Sequence, residues 1–336
     1  MSFAEQLTFP REESAFAARV ERHRGELHVH CYRMLGSFED SEDLVQETFL
    51  RAWRKRATFG SDGRSSFRAW LYRIATNACL DVLRSRPPRV LPPQVVAAGD
   101  PAAPPSPPAD LPWLQPYPDR LLEPVSPAED EPGAVVVARE TIELAFIAAI
   151  QLLPPRQRAA LICRDVLGWS AAESAALLDV SVPALNSALQ RARATLKEHL
   201  PRRRSEWAGA DASREERTLL RGYMDAMEHG DAAEMIELLR EDAFCAMPPA
   251  WYVGREKIIQ AWVEGGFGDD SWGHLRCVRT RVNGQPAVAC YVKRAGDSTY
   301  RPLVLDVLRF EDGEVVEITA FKLEPLLEAL NLPQTL

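Results

Sequence analysis

Apolar residues recur at helical spacing in two stretches of the chain, about residues 10–86 and 138–204, and give way to β-rich runs beyond Arg240. In the first stretch Val45, Phe49, Ala52 and Trp53 fall at i, i+4, i+7 and i+8, which predicts a helix capped by Ser41 with Glu42 and Asp43 in its first turn. A second helix is expected over about Phe67–Arg84. Its inner face is Leu71, Ile74, Ala75, Ala78 and Val82, and its outer face is Arg73, Asn77, Asp81 and Arg84. In the second stretch Ser170-Ala-Ala-Glu173 has the spacing of a capping box. Ala172, Ala175, Ala176 and Leu178 form its expected buried side, and the helix breaks at Asp179-Val180. Ser181 then caps another helix, with Pro183 in the first turn and Leu185, Ala188, Leu189, Ala192 and Leu196 as the buried stripe.

Between the helical stretches, residues 87–137 are so rich in proline that neither helix nor sheet can persist, so an extended, semi-stiff tether is expected. A shorter linker follows Arg202-Arg203-Arg204 and runs to Ser213. Glu215–Arg240 reads as two helices. Strands are then expected at Leu275–Val282, Ala287–Val292, Leu303–Phe310 and Val315–Phe321, joined in pairs by Asn283-Gly284 and Asp312-Gly313. Such dipeptides favour the positive φ angles of tight hairpins. Helices followed by an antiparallel sheet predict an α+β domain over residues 213–332, behind two all-α domains at 10–86 and 138–204. There is no internal repeat.

A chain of 336 residues has room for two or three domains, and 46% hydrophobic with 26% charged residues is ordinary globular composition. No apolar run approaches the roughly 20 residues that span a bilayer. Met1–Glu13 lacks a secretory h-region, so no membrane partner and a cytoplasmic location are expected. The six cysteines form no CxxC pair, which argues against a zinc ribbon or a disulfide framework. His28 and His30 stand two apart and share no helix face. No metal and no cofactor are expected. A net charge of −8 runs against strong DNA binding by the chain alone. Arginine nevertheless concentrates in Arg51–Arg89 and Arg191–Arg204, so affinity for DNA would be borrowed from a larger partner.

Three places carry candidate chemistry. Asp43, Glu47, Leu50 and Arg54 form a stripe on the first helix, either a solvated face or a docking face. The loop from Gly60 holds Arg64, Phe67 and Arg68 beside Trp70 and Tyr72. Arginines interleaved with rings suit melted DNA, although Trp70 and Tyr72 are equally at home in a core. Asn186, Ser187, Gln190, Arg191, Arg193 and Lys197 lie outside the last helix, where Asn, Gln and Arg can read base edges. That segment is either a DNA-binding helix-turn-helix or a hairpin inside a bundle.

Asp43–Trp53 followed by Phe67–Arg84 resembles region two of sigma-70 factors of the extracytoplasmic-function group. Leu152-Leu-Pro-Pro-Arg-Gln-Arg158 with Gly168–Glu173 resembles region four of the same group. The resemblance implies an RNA polymerase sigma factor that directs promoter-specific initiation. Asp43, Gln46, Glu47 and Arg51 would dock on the clamp of core RNA polymerase. Arg64, Phe67, Arg68 and Asn77 would open and read the −10 element of promoter DNA. Region four would bind the polymerase flap and the −35 element, with Asn186, Ser187, Gln190 and Arg191 on bases and Arg193, Lys197 and the Arg202 cluster on phosphates. The linker would lie in the polymerase channel; extended at roughly 3 Å per residue, it is long enough to join the two promoter elements.

Helices, Met247-Pro-Pro-Ala-Trp-Tyr-Val-Gly254, another helix and four strands with Asn283-Gly-Gln-Pro-Ala287 resemble a SnoaL-like domain of the cone-shaped NTF2-like fold. That fold implies a pocket, lined here by Tyr223, Met227, Trp251, Tyr252, Trp262 and Tyr291, and open to a small ligand. Asp306, with Asp242 and His274 behind it, would be the group for acid–base work, but no spacing pairs any two of them. The domain therefore reads as a regulatory module acting in cis, and the protein as not an enzyme. The alternative is a small-molecule enzyme or ligand sensor tethered to a DNA-binding module.

Overall fold

The structure is a computed structural model. It describes residues 14–59, 66–94, 96–102, 112–122, 141–200, 214–269 and 272–336. Two compact units result. One joins Met1–Arg89 to Leu121–Arg204, and the other joins Val90–Arg120 to Ser205–Leu336.

The first unit is helical. Its first part comprises α1 (Arg24–Leu35), α2 (Phe38–Lys55) and α3 (Phe67–Leu83). Its second part comprises α4 (Leu144–Gln151), α5 (Pro155–Leu161), α6 (Ala171–Leu178) and α7 (Val182–His199). Helix α2 begins one turn before the expected Ser41, because Ser37 is the cap that accepts from the Asp40 N–H. Ser41 is buried instead, its hydroxyl donating to the Ser37 carbonyl at 2.5 Å. Leu44, Val45, Thr48 and Ala52 form the inner face, while Phe49 and Trp53 are half-buried. The capping box at Ser170 and Glu173 is present, and Asp179 closes α6 in the left-handed conformation. The buried side of α6 is Ser174, Ala175, Leu177 and Leu178; Ala172 and Ala176 face solvent. The two parts of the unit pack on each other. Arg158, 1% exposed, fastens them: its guanidinium donates to the carbonyls of Met34, Gln151 and Leu153 and to Gln151 Oε1. Tyr72 of α3 meets Trp169 edge-on, with ring centroids 5.1 Å apart.

The second unit is built on a six-stranded sheet in the order β2-β1-β6-β5-β4-β3. The strands are β1 (Leu239–Met247), β2 (Ala250–Val253), β3 (His274–Val282), β4 (Gln285–Lys293), β5 (Arg301–Glu311) and β6 (Glu314–Lys322). Both expected hairpins form, with Asn283, Gly284, Asp312 and Gly313 all at positive φ. Strands β1 and β2 were not expected. Their hairpin turns at Pro248-Pro249, and β1 runs parallel to β6, so the sheet is mixed rather than antiparallel. Helices α8 (Arg214–His229), α9 (Ala232–Leu238) and α10 (Arg255–Glu264) cover one sheet face, and Tyr223, Met227, Met235, Ile258, Leu308 and Ile318 lie in the core between. A short helix, α11 (Leu327–Leu330), ends the domain.

The proline-rich segment is not a free tether where it is described. Val90 and Trp113 pair as a parallel bridge. Trp251 Nε1 donates to the Val96 carbonyl at 2.9 Å, and the Gly99 N–H donates back to the Trp251 carbonyl at 2.8 Å. Further along, Pro118 bridges to Val282, and Tyr117 and Asn283 exchange two hydrogen bonds. Asp119 accepts from the Gly284 N–H at 2.7 Å and from Arg281 at 3.2 Å. Leu114 and Tyr117 are fully buried. Proline limits internal backbone pairing to a few bonds such as the Val90–Trp113 bridge, so the segment satisfies further polar groups on the sheet of the second unit.

Candidate nucleic-acid interface

Helix α2 offers an outward face. Asp43, Gln46 and Leu50 are exposed, Leu50 at 52%, while Glu47 and Arg51 are half-buried. Arg51 binds Glu47 at 2.8 Å and Asp81 of α3 at 3.0 Å, and these two bonds raise its pKa. The four docking candidates thus lie on one surface, and one of them, Arg51, is spent partly on holding α2 to α3.

The −10 candidates divide. Arg64 lies outside the described residues, and Asn77 is exposed on α3. Phe67 is 2% exposed, its ring packed edge-on against Phe16 and Phe59 and under the Arg19 guanidinium at 4.0 Å. A ring so placed is core and cannot stack on a base in this arrangement. The helix start explains it: Ser66 caps α3 and turns Phe67 inward at the first helical position. Arg68 is committed as well, donating to Glu26 at 2.7 Å and to the Tyr72 hydroxyl at 3.4 Å. Burial opposes the charge on Glu26, but its bonds to His23 and Arg68 hold its pKa below the usual value. Trp70 and Tyr72 are both buried.

Helix α7 contrasts with this. Leu185, Leu189, Ala192 and Leu196 turn inward and leave Asn186, Ser187, Gln190, Arg191, Arg193 and Lys197 exposed together. Arg193 forms a fork to Asp165 at 2.6 and 2.9 Å, which raises its pKa and sets it apart from the others. Among the described residues the other five make no side-chain hydrogen bond or ion pair. A basic, amide-bearing face at the second helix of a helix-turn-helix fits the major groove.

The expected pocket residues do not share one surface. Tyr223, Tyr252 and Trp262 pack on the core beneath the helices, whereas Tyr291 lies on the other face of β4 and bonds the Pro333 carbonyl at 2.8 Å. Trp251 belongs with the linker. Asp306 is buried: Tyr223 donates to its Oδ2 at 3.0 Å, and Cys290 Sγ lies 3.8 Å away. Burial pushes this carboxyl up to about 6, against the two hydrogen bonds that stabilise its charge. Asp242 is exposed and held by Arg240, and His274 is exposed.

Arg158, the Glu26–Arg68 pair and the docked linker were missed from sequence. The linker gave a signal: Trp113, Leu114 and Tyr117 are large apolar groups that a solvated tether would not carry. His28 and His30 are buried, and no group of side chains fit to hold a metal occurs among the described residues. No helix among them is long and apolar enough to cross a membrane.

Comparison with known proteins agrees with this geometry. The chain matches Sigma-70 region 2 over residues 19–87, Sigma-70 region 4 over 143–196 and a SnoaL-like domain over 220–318. It is 42% identical over 327 residues to the ECF RNA polymerase sigma factor SigG of Mycobacterium tuberculosis, covering 96% of this chain and 85% of that one. SigE of Mycolicibacterium smegmatis is 31% identical over 189 residues, 56% of this chain and 63% of its own. Among solved structures, the Mycobacterium tuberculosis extracytoplasmic function sigma factor SigJ shares the fold, with a TM-score of 0.58 at 21% identity over 94% of this chain and all of that one.

Proposed function

This chain belongs to the extracytoplasmic-function RNA polymerase sigma factors, and from that premise we propose how its surfaces divide the work of initiation. Binding of core polymerase and direction of initiation follow from membership. The finer assignments are these. The α2 face of Asp43, Gln46, Glu47 and Leu50 docks on polymerase, with Leu50 as the apolar centre of a polar rim. The α7 face reads the −35 element through Asn186, Ser187, Gln190 and Arg191, with Lys197 on phosphate. Asn77 and the loop before α3 meet the −10 element once the Arg68–Glu26 pair yields.

The SnoaL-like domain acts in cis by holding the linker between the two DNA-reading parts. The observation that carries this is the clasp of Tyr117 and Asp119 on the β3–β4 turn at Asn283 and Gly284. A linker bonded there is not available to the polymerase channel, so the clasp and the channel compete for one segment. Occupation of the C-terminal domain by a small ligand has no support in this geometry, since Asp306 is already engaged.

Run-off transcription with core polymerase and a cognate promoter tests the scheme. Asp43→Ala with Glu47→Ala should abolish core binding, and unchanged binding would remove the docking assignment. Tyr117→Ala with Asp119→Ala should alter transcript yield while leaving start sites fixed. An unaltered yield would remove the regulatory assignment and leave the sigma function standing.

A further inference from the structure

Two of the six cysteines face each other across neighbouring strands. Cys277 of β3 and Cys290 of β4 are register partners, and their sulfurs lie 3.7 Å apart. The Cys277 N–H is directed away from β4, donating to Glu228 Oε1 of α8 at 2.7 Å. In an antiparallel ladder the N–H and C=O of one residue point the same way, so Cys277 and Cys290 form a non-hydrogen-bonded pair. Such pairs bring Cα atoms to about 4.5 Å, with side chains closer than in the alternate kind. Disulfides bridge Cα separations of about 4.4–6.8 Å, so the backbone already stands within range and only the sulfurs must swing together. We propose that Cys277 and Cys290 are a modification site, a dithiol that a peroxide-class oxidant converts to a disulfide.

The surroundings assign each sulfur a role. Strand β3 is a sheet edge and Cys277 is half-buried there, within reach of a small oxidant. Cys290 is fully buried, and its Sγ lies 3.8 Å from Asp306 Oδ2. The bond to Cys277, burial and the Asp306 charge together hold the Cys290 thiol well above its usual range, so attack starts at Cys277. The Cys277 thiolate attacks one peroxide oxygen, the O–O bond breaks, and hydroxide leaves a sulfenic acid on Cys277. Asp306 takes the proton of Cys290, whose sulfur attacks Cys277; the S–S bond forms and hydroxide leaves. The hydroxides take up the two thiol protons, so two thiols and one hydrogen peroxide yield one disulfide and two waters. Asp306 is a positioning and proton-accepting residue in this step, and Tyr223 fixes its Oδ2.

The other cysteines serve as controls. Cys31 and Cys79 are neighbours, and burial together with the bond to Cys31 raises the Cys79 thiol, but both are fully buried in the helical unit. Cys163 and Cys245 are buried too. Proximity alone would oxidise Cys31 with Cys79 as readily, whereas access singles out Cys277.

The test uses the full chain, treated with hydrogen peroxide, alkylated under denaturing conditions and digested without reduction for mass spectrometry. The expected first product is a peptide pair joined through Cys277 and Cys290, lighter by two hydrogens and separated by reductant, with the other four cysteines alkylated. Cys277→Ser, at a half-buried position, should leave Cys290 a thiol. In Asp306→Asn, sulfenic acid on Cys277 should accumulate before the disulfide and be captured by a dimedone-type reagent. Oxidation of Cys31 with Cys79 at an equal or faster rate, a link from Cys277 to a second molecule, or no Cys277–Cys290 peptide would each overturn the proposal.

Discussion

Helices α3 and α7 both carry arginines toward the surface, and they use them in opposite ways. On α3 Arg68 is locked to Glu26 and Tyr72, and the preceding Phe67 is sunk in an aromatic cluster. On α7 Arg191 stands exposed beside Asn186 and Gln190. The difference lies in what surrounds each helix. Helix α3 is packed by α1, α2, α5 and α6, so most of its circumference is interior. Helix α7 buries one narrow stripe on α4, α5 and α6 and leaves most of the rest to solvent. A side chain's chemistry shows what it can bind; its neighbours decide whether it is available.

Four outcomes would break or sharpen that contrast. The largest concerns Arg158, the buried cation that joins the two helical parts. Arg158→Met strands four acceptors and should cost the helical unit about 3 kcal/mol or more, read by denaturant unfolding; a loss below about 1 kcal/mol would show the latch to be incidental.

Asp306 tests burial in the other unit. Its folded pKa of about 6 stands above the ordinary 3.8, so the folded state binds the proton more tightly. Its contribution is full below pH 4 and is lost as pH rises through about 6. Amide exchange on β4 and β5 should therefore reveal a destabilisation of up to about 3 kcal/mol between pH 4 and 7.5, absent in Asp306→Asn.

Arg68→Ala leaves the half-buried Glu26 without its guanidinium partner, held only by His23 and the Tyr72 hydroxyl, and should destabilise the helical unit by about 1–2 kcal/mol at pH 7. Equal stability would mean that Arg68 is as uncommitted as Arg191. Arg191→Ala should change thermal stability by no more than about 0.5 kcal/mol. Its promoter affinity should nonetheless fall by about 1–3 kcal/mol in a gel-shift with holoenzyme, with core binding retained.

Much of the fold was legible because its signals are local. The capping box at Ser170, the stripe of α7 and the turns at Asn283-Gly284 and Asp312-Gly313 each depend on residues within a few positions of one another. Strands β1 and β2 were not legible. Glu241 and Asp242 interrupt the apolar pattern of β1, and its pairing with β6 joins residues far apart in sequence. The inner face of α6 was misplaced because alanine is accepted on either side of a helix, so four alanines cannot define a phase.

The chain by itself determined the helical stretches, the two hairpins with their turns at Asn283-Gly284 and Asp312-Gly313, and that a polar, basic face lies opposite Leu185 and Leu189. Periodicity and capping fix these through short-range sterics and hydrogen bonds. Only the tertiary structure decided that Phe67 is core, that Arg158 bolts the helical parts together, that the proline segment lies on the sheet, and that Cys277 meets Cys290. Each of these depends on long-range packing, where burial sets the cost of every unpaired polar group and so chooses its partner.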